Sequence, residues 1–264
     1  MGIEQHCHFF KIFRCHDKII INMGGVIMDG KLKVCRRYIS ILLSVVLLFS
    51  LCSCGWFHVN EDDVRQQQYI EMREYLNNNT TLKITKIRDL KYDEELKSVY
   101  LDVLLPFKAQ ASLKQLDELR IAMSEYLKQD GKYLAEGWQV AVDICDDARS
   151  TGEGKRYARF ANYEEGYPYD FPLKRYETTD YLNTFFFWFD KEDIPYISSL
   201  TDVEYMYIAG YYSETDTELM NRTIEEISKL DNLKKLKICS NWYEDFLNAD
   251  LGCEIEEDND YNLL

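Results

Sequence analysis

Imidazole is scarce in this chain of 264 residues: there are four histidines, and three of them, His6, His8 and His16, stand at the start. Beyond residue 16 only His58 remains, so Ser-His-Asp and Cys-His schemes, which need an imidazole to take the nucleophile's proton at neutral pH, have no base beyond His58 to use. Most zinc sites go with them, and no cofactor is expected. Basic residues are also few, 31 against 46 acidic ones, for a formal net charge of −15. A surface of that sign repels phosphates and anionic headgroups, which argues against nucleic acid as a partner. The one pronounced apolar run, Tyr38 to Leu51, has 14 residues, short of the about 20 that a helix needs to cross a bilayer.

That run has the layout of an export signal. Lys31, Lys33, Arg36 and Arg37 precede it, a basic flank that stays on the cytoplasmic side, and small residues and cysteine follow it. Its exit reads Leu51-Cys52-Ser53-Cys54-Gly55. With an aliphatic residue three before Cys54 and a small residue directly before it, this resembles the lipobox of bacterial lipoproteins over residues 28–55. The resemblance implies cleavage between Ser53 and Cys54 and diacylglycerol on the Cys54 thiol. Cys52 stands at the second position before the cut, where a small or β-branched residue is more usual. Two or three acyl chains anchor durably, because each buried CH₂ contributes about 0.8 kcal/mol and one chain is marginal. Gly55 lacks the aspartate of lipoproteins kept at the inner membrane, so in a host with two membranes the resemblance implies the outer one.

The residues ahead of this signal hold His6, Cys7, His8, Cys15 and His16, soft and imidazole ligands without the spacing of a common zinc site. Gly24-Gly25 can be encoded GGAGGN, like a bacterial ribosome-binding site, with Val26-Ile27 as spacer before a start at Met28. Residues 1–27 are therefore expected to be untranslated, 28–53 to be the signal peptide, and 54–79 a tether and helix. Of the charged residues, 7 basic and 3 acidic precede Cys54, so the remainder carries −19. About 200 residues suffice for one large core or two small ones.

After the tether the periodicity predicts an α+β or α/β protein. Asp62 to Leu76 has helical spacing, with Val64, Tyr69, Met72 and Leu76 apolar and three asparagines to stop it. "TLKITKI" from Thr81 and "SVYLDVLL" from Ser98 read as strands. Ser112 followed by Gln115 is a capping-box pattern for a helix with Leu113, Leu116, Leu119, Met123, Tyr126 and Leu127 as its buried stripe. "WQVAVDIC" and "RYARFANY" are two further strands around a glycine-bearing loop. The expectation for 80–162 is a β-β-α-β-β layer with its helix on one sheet face.

Residues 163–181 form a tyrosine-rich connector, and 182–253 carry an internal repeat. The dense aromatic "NTFFFWF" reads as a strand. "LTDVEYMYIAGY" from Leu200 and "LDNLKKLKICSN" from Leu230 are offset by 30 residues, each after a helical stretch, Glu192 to Ser199 and Thr217 to Lys229. The second copy, Leu230, Leu233, Leu236, Ile238 and Asn241, resembles the leucine-rich repeat over about 192–241. The resemblance implies inward leucines on a short strand and an asparagine bonded to turn backbone; the first copy has Tyr211 in place of that asparagine. Two units fall short of the three or so that a solenoid needs, so they are expected to lean on the first half. Residues 254–264 read as a solvated acidic tail.

Three cysteines follow the lipobox, Cys145, Cys239 and Cys253; Cys239 with Cys253 is a possible pair, and free buried thiols are the alternative. Two candidate sites stand out. Asp143, Asp146 and Asp147 gather at a strand end and could bind calcium or act as acid and base, although no EF-hand spacing is present. Tyr163, Tyr167, Tyr169, Phe171, Tyr176 and Tyr181 lie among Gly166, Pro168 and Pro172, so not all fit a regular buried face. Exposed tyrosine offers contact area at low entropy cost; rings that plug the gap between the halves are the other reading. The favoured function is a lipid-anchored surface module that binds a protein or glycan partner, without enzymatic activity, and the alternative is an envelope hydrolase that uses carboxylates alone.

Overall fold

Strand β5, Ser98–Leu105, shows how the sequence sets up the core. Val99, Leu101, Val103 and Leu105 point to one face and Ser98, Tyr100, Asp102 and Leu104 to the other, and all eight are buried. A strand covered on both faces belongs inside a sheet. The structure, a computed structural model, describes residues 11–15, 18–23, 26–28, 61–148, 155–164, 175–188, 190–209 and 217–258. The expected signal run, Cys54, His58, Tyr167, Tyr169, Phe171 and Tyr211 lie outside the described residues.

The chain divides into two units, Met1–Glu61 and Asp62–Leu264. In the first, β1 (Lys11–Cys15), β2 (Lys18–Met23) and β3 (Val26–Met28) form an antiparallel three-stranded sheet, over the stretch expected to be untranslated. In the second, helix α1 (Glu61–Asn79) precedes β4 (Lys86–Asp93) and β5. Helix α2 (Leu113–Leu127) then leads to β6 (Gln139–Asp146), β7 (Arg156–Ala161) and β8 (Thr184–Trp188). A 3-10 helix at Ile194–Ser199, strand β9 (Tyr205–Ala209), helix α3 (Thr217–Ile227), strand β10 (Lys235–Cys239), helix α4 (Ser240–Asn248) and strand β11 (Glu254–Asp258) complete it. Among the described residues no helix is long and apolar enough to cross a membrane.

Strands β4 to β11 make one eight-stranded sheet in chain order. The β4–β5 and β6–β7 pairs are antiparallel, β5 and β6 are parallel and joined through α2, and β8 runs antiparallel to β7. From β8 to β11 every pair is parallel, with a helix in each connection, as parallel neighbours require. Apolar residues of all these helices join those of the strands, among them Leu101, Val142, Phe160, Phe187, Ile208 and Ile238, in a single core cluster. That leaves the helices on one face of the sheet. The protein is mixed α/β, as the periodicity predicts.

Several elements differ from the expectation. Strand β4 starts at Lys86 rather than Thr81, because the Asn77 side chain accepts from Ile84 N (2.7 Å) and donates to Ile84 O (3.0 Å), occupying groups a ladder would use. The expected helix at 192–199 is a 3-10 helix with Pro195 in its first turn. Residues 254–258 are no solvated tail: they form β11, with Glu254 and Glu256 paired to lysines of β10. Asn241 lies exposed in α4, outside any asparagine ladder.

Candidate functional site

The helix-free face of the sheet carries the chemistry, and cross-strand register places it in a continuous row. Arg88, Asp102, Asp143 and Arg159 stand side by side on β4 to β7. Phe186, Tyr207, Lys237 and Glu256 continue the row on β8 to β11. Its two halves have different characters.

In the first half the row is a buried ion cluster. The Asp143 carboxylate accepts from Arg159 Nε (2.7 Å) and Tyr100 OH (2.6 Å) and lies 3.0 Å from Arg156 Nε. Burial alone would raise its pKa, but the charge and hydrogen bonds of Arg159, with Arg156 and Tyr100, outweigh that and hold it at about 2. It is ionised at neutral pH and has no proton to give. Arg88 Nη2 meets Asp102 at 2.9 Å. The carboxylates of Asp102 and Asp143 and the Cys145 thiol converge within 4.8 Å. The guanidinium groups of Arg88, Arg156 and Arg159 already neutralise both carboxylates, so this donor set does not fit a cation.

The three expected acids do not meet. Asp146, three residues along the strand, faces the other side and accepts from Ala148 N (3.2 Å), while Asp147 is exposed beyond the strand end. Cys239 and Cys253 do not meet either. In the parallel register Cys239 stands beside Asp258 whereas Cys253 precedes Glu254, about 16 Å along the strand axis at 3.3 Å per residue, and a disulfide spans less than about 7 Å between Cα atoms. Cys253 is a free thiol, half-buried.

The described part of the connector closes over the middle of this face. Asn162 accepts from Val140 N (2.7 Å) and donates to Trp138 O and Thr179 O (2.9 Å each), which fixes both ends of the segment. Tyr163 is buried against Tyr100, Ala141 and Ala161 and stacks on Tyr176, ring centroids 5.0 Å apart at 12°. Tyr163 is thus buried on strands of the first half rather than exposed. Tyr176 and Tyr181 are half-buried; Tyr181 OH donates to Glu204 Oε1 (3.0 Å), and Lys128 Nζ lies 5.4 Å from its ring.

In the second half the row sorts into columns. Rings come first: Phe186 contacts Trp188 at 4.6 Å and Tyr207 at 4.4 Å between centroids, with Tyr205 beside them on β9. Lysines follow on β10, Lys237 Nζ lying 5.6 Å from the Tyr207 ring. Acids close the edge on β11. Lys235 Nζ reaches Glu164 and Glu256 at 3.0 Å and Glu254 at 3.5 Å; burial opposes its charge, but Glu256 and Glu164 outweigh that and raise its pKa. Lys237 reaches Glu256 at 3.3 Å. Trp188, Tyr205 and Tyr207 are all partly open to solvent. The alternation of "EYMYIA" and "KKLKIC" could have pointed to these residues, since Met206, Ile208, Leu236 and Ile238 face the core and leave the rings and lysines outward. The β11 acids carry no comparable signal. Comparison with family models, with curated proteins and with solved structures gave no match.

Proposed function

We propose that the protein is an exported, lipid-anchored module that binds a protein or glycan partner through the helix-free face of β8 to β11. The observation that carries this is the ring, lysine and acid columns on that face, which no helix covers among the described residues. Aromatic and charged groups at such positions combine contact area with orientation. The half-buried Tyr176 and Tyr181 extend the same chemistry, and Tyr167, Tyr169 and Phe171 of the connector are part of the proposal. The anchor is Cys54, in the outer membrane if the host has two.

The leucine-rich-repeat-like reading belongs here too. In its support, Thr184, Tyr205, Lys235 and Glu254 stand side by side at the strand starts, at spacings of 21, 30 and 19 residues, close to the 20–29 of such repeats. The residues offset by 30, Leu200 and Leu230, Val203 and Leu233, Met206 and Leu236, Ile208 and Ile238, are buried in pairs, and Asn232 Nδ2 donates to Thr201 O (2.8 Å) of the preceding unit. The β-β-α-β-β layer is the platform on which this stack begins.

Two measurements test the reading. Mass spectrometry of the mature N-terminus is expected to find an acylated Cys54; a chain that starts elsewhere removes the anchor. Crosslinking on intact cells is expected to trap a partner that Trp188→Ala with Tyr207→Ala loses, and a partner retained by the double variant moves the surface elsewhere.

A further inference from the structure

Strand β11 ends the sheet, and among the described residues no strand lies beyond it. Glu254 N donates to Lys234 O (2.9 Å), and in a parallel ladder the N–H and C=O of one residue turn to the same side, with the next residue turning to the other. Glu254, Glu256 and Asp258 therefore bond inward to β10. The backbone groups of Ile255 and Glu257 face outward.

The charge at this edge is one-sided. Four of the five residues are acidic, Glu254, Glu256, Glu257 and Asp258, and the lysines of β10 offset them only in part. Lys235 is shared among three carboxylates, one of them Glu164 of the connector, and the Glu254 side chain is still 67% exposed. Such an edge repels a second copy of itself, which is the usual use of charge on an edge strand. It leaves the outward N–H and C=O open to a strand of opposite sign.

We infer that β11 accepts an extended, lysine- or arginine-rich segment of a partner protein, which adds to the sheet as a ninth strand. The outward groups of Ile255 and Glu257 supply main-chain hydrogen bonds, as in other strand additions, and the acids select basic side chains at alternate positions. This rests on the binding reading above and names the partner as a basic extended peptide.

The full chain is titrated with a fluorescent ten-residue peptide of alternating lysine and valine, alongside a glutamate-valine control. Binding of the first alone is expected, weakening at least tenfold with Glu257→Pro, which removes the outward N–H and leaves the inward ladder intact. Glu257→Gln, which removes the charge and keeps the N–H, is expected to stay within about threefold. Should the proline variant fail to fold, amide exchange of the unaltered chain decides: Ile255 and Glu257 are expected to gain protection on binding, while Glu254 and Glu256 are protected beforehand. No binding, equal loss in both variants, or self-association of the chain overturns strand addition. Binding lost with Trp188→Ala but not with Glu257→Pro also overturns it, yet leaves the open-face reading standing; failure of that reading shows instead in the crosslinking on cells.

Discussion

Two buried arginines do unlike work. Arg120 on α2 is fully enclosed: it bonds Asp117 and Asp202 at 2.6 Å each through Nη2 and Leu182 O at 2.8 Å through Nη1. Burial opposes its charge, but the hydrogen bonds and charges of Asp202 and Asp117 more than compensate. Removing one member of such a group strands the others, so Arg120→Met is expected to destabilise the fold by about 3–5 kcal/mol, read from urea denaturation. Arg159 instead holds Asp143 ionised. A free aspartate titrates near about 4 and the folded Asp143 at about 2, so its pairing stabilises the fold fully above about pH 4 and loses that contribution as pH falls toward 2. Urea midpoints measured across that window are expected to drop in the unaltered chain and to drop less in Asp143→Asn.

The helices and strands owe their limits to a few side chains. At the start of α2 the Ser112 hydroxyl accepts from Gln115 N, and the Gln115 side chain accepts from Ser112 N (3.1 Å), the capping box that the sequence predicts. Ser112→Ala is expected to cost about 1 kcal/mol, measurable by thermal denaturation. A second cap was not legible: Asp193 Oδ1 accepts from Leu113 N at 3.0 Å across 80 residues, and no local pattern announces so distant a partner. Strands β5, β6 and β8 were readable as apolar runs, and α2 as a stripe of period 3.6. Strand β11 was not, since of its five residues only Ile255 is apolar; the lysines of β10 make an acidic run a strand. Of the candidate site, the rings and lysines were within reach of an alternation argument, while the ion cluster required knowing that β4, β5, β6 and β7 are neighbours.

At the scale of the whole molecule the two halves of Asp62–Leu264 share one sheet. Strand β7 pairs with β8, Phe160 meets Phe185 edge-on at 5.1 Å, and Arg120 on α2 bonds Leu182 O and Asp202 beyond the connector. Cutting there exposes apolar faces on both sides. A chain ended at residue 164 is expected not to fold, and residues 62–264 to unfold in a single urea transition with circular dichroism and tryptophan fluorescence coinciding; two separated transitions would mean that the halves are independent.

The sequence by itself determined the local facts: the capping box at Ser112, the inward faces of the strands, the offset of 30 between two similar stretches, and the sign of the surface. These depend on residues a few positions apart or on composition, and periodicity reports them. Only the tertiary structure decided that eight strands form one sheet in chain order, that Asp143 faces Arg156 and Arg159 while Asp146 faces away, and that the final acidic residues are an edge strand. Those outcomes depend on cross-strand register, which is set by the packing of groups up to 82 residues apart and leaves no mark on any one stretch of the chain.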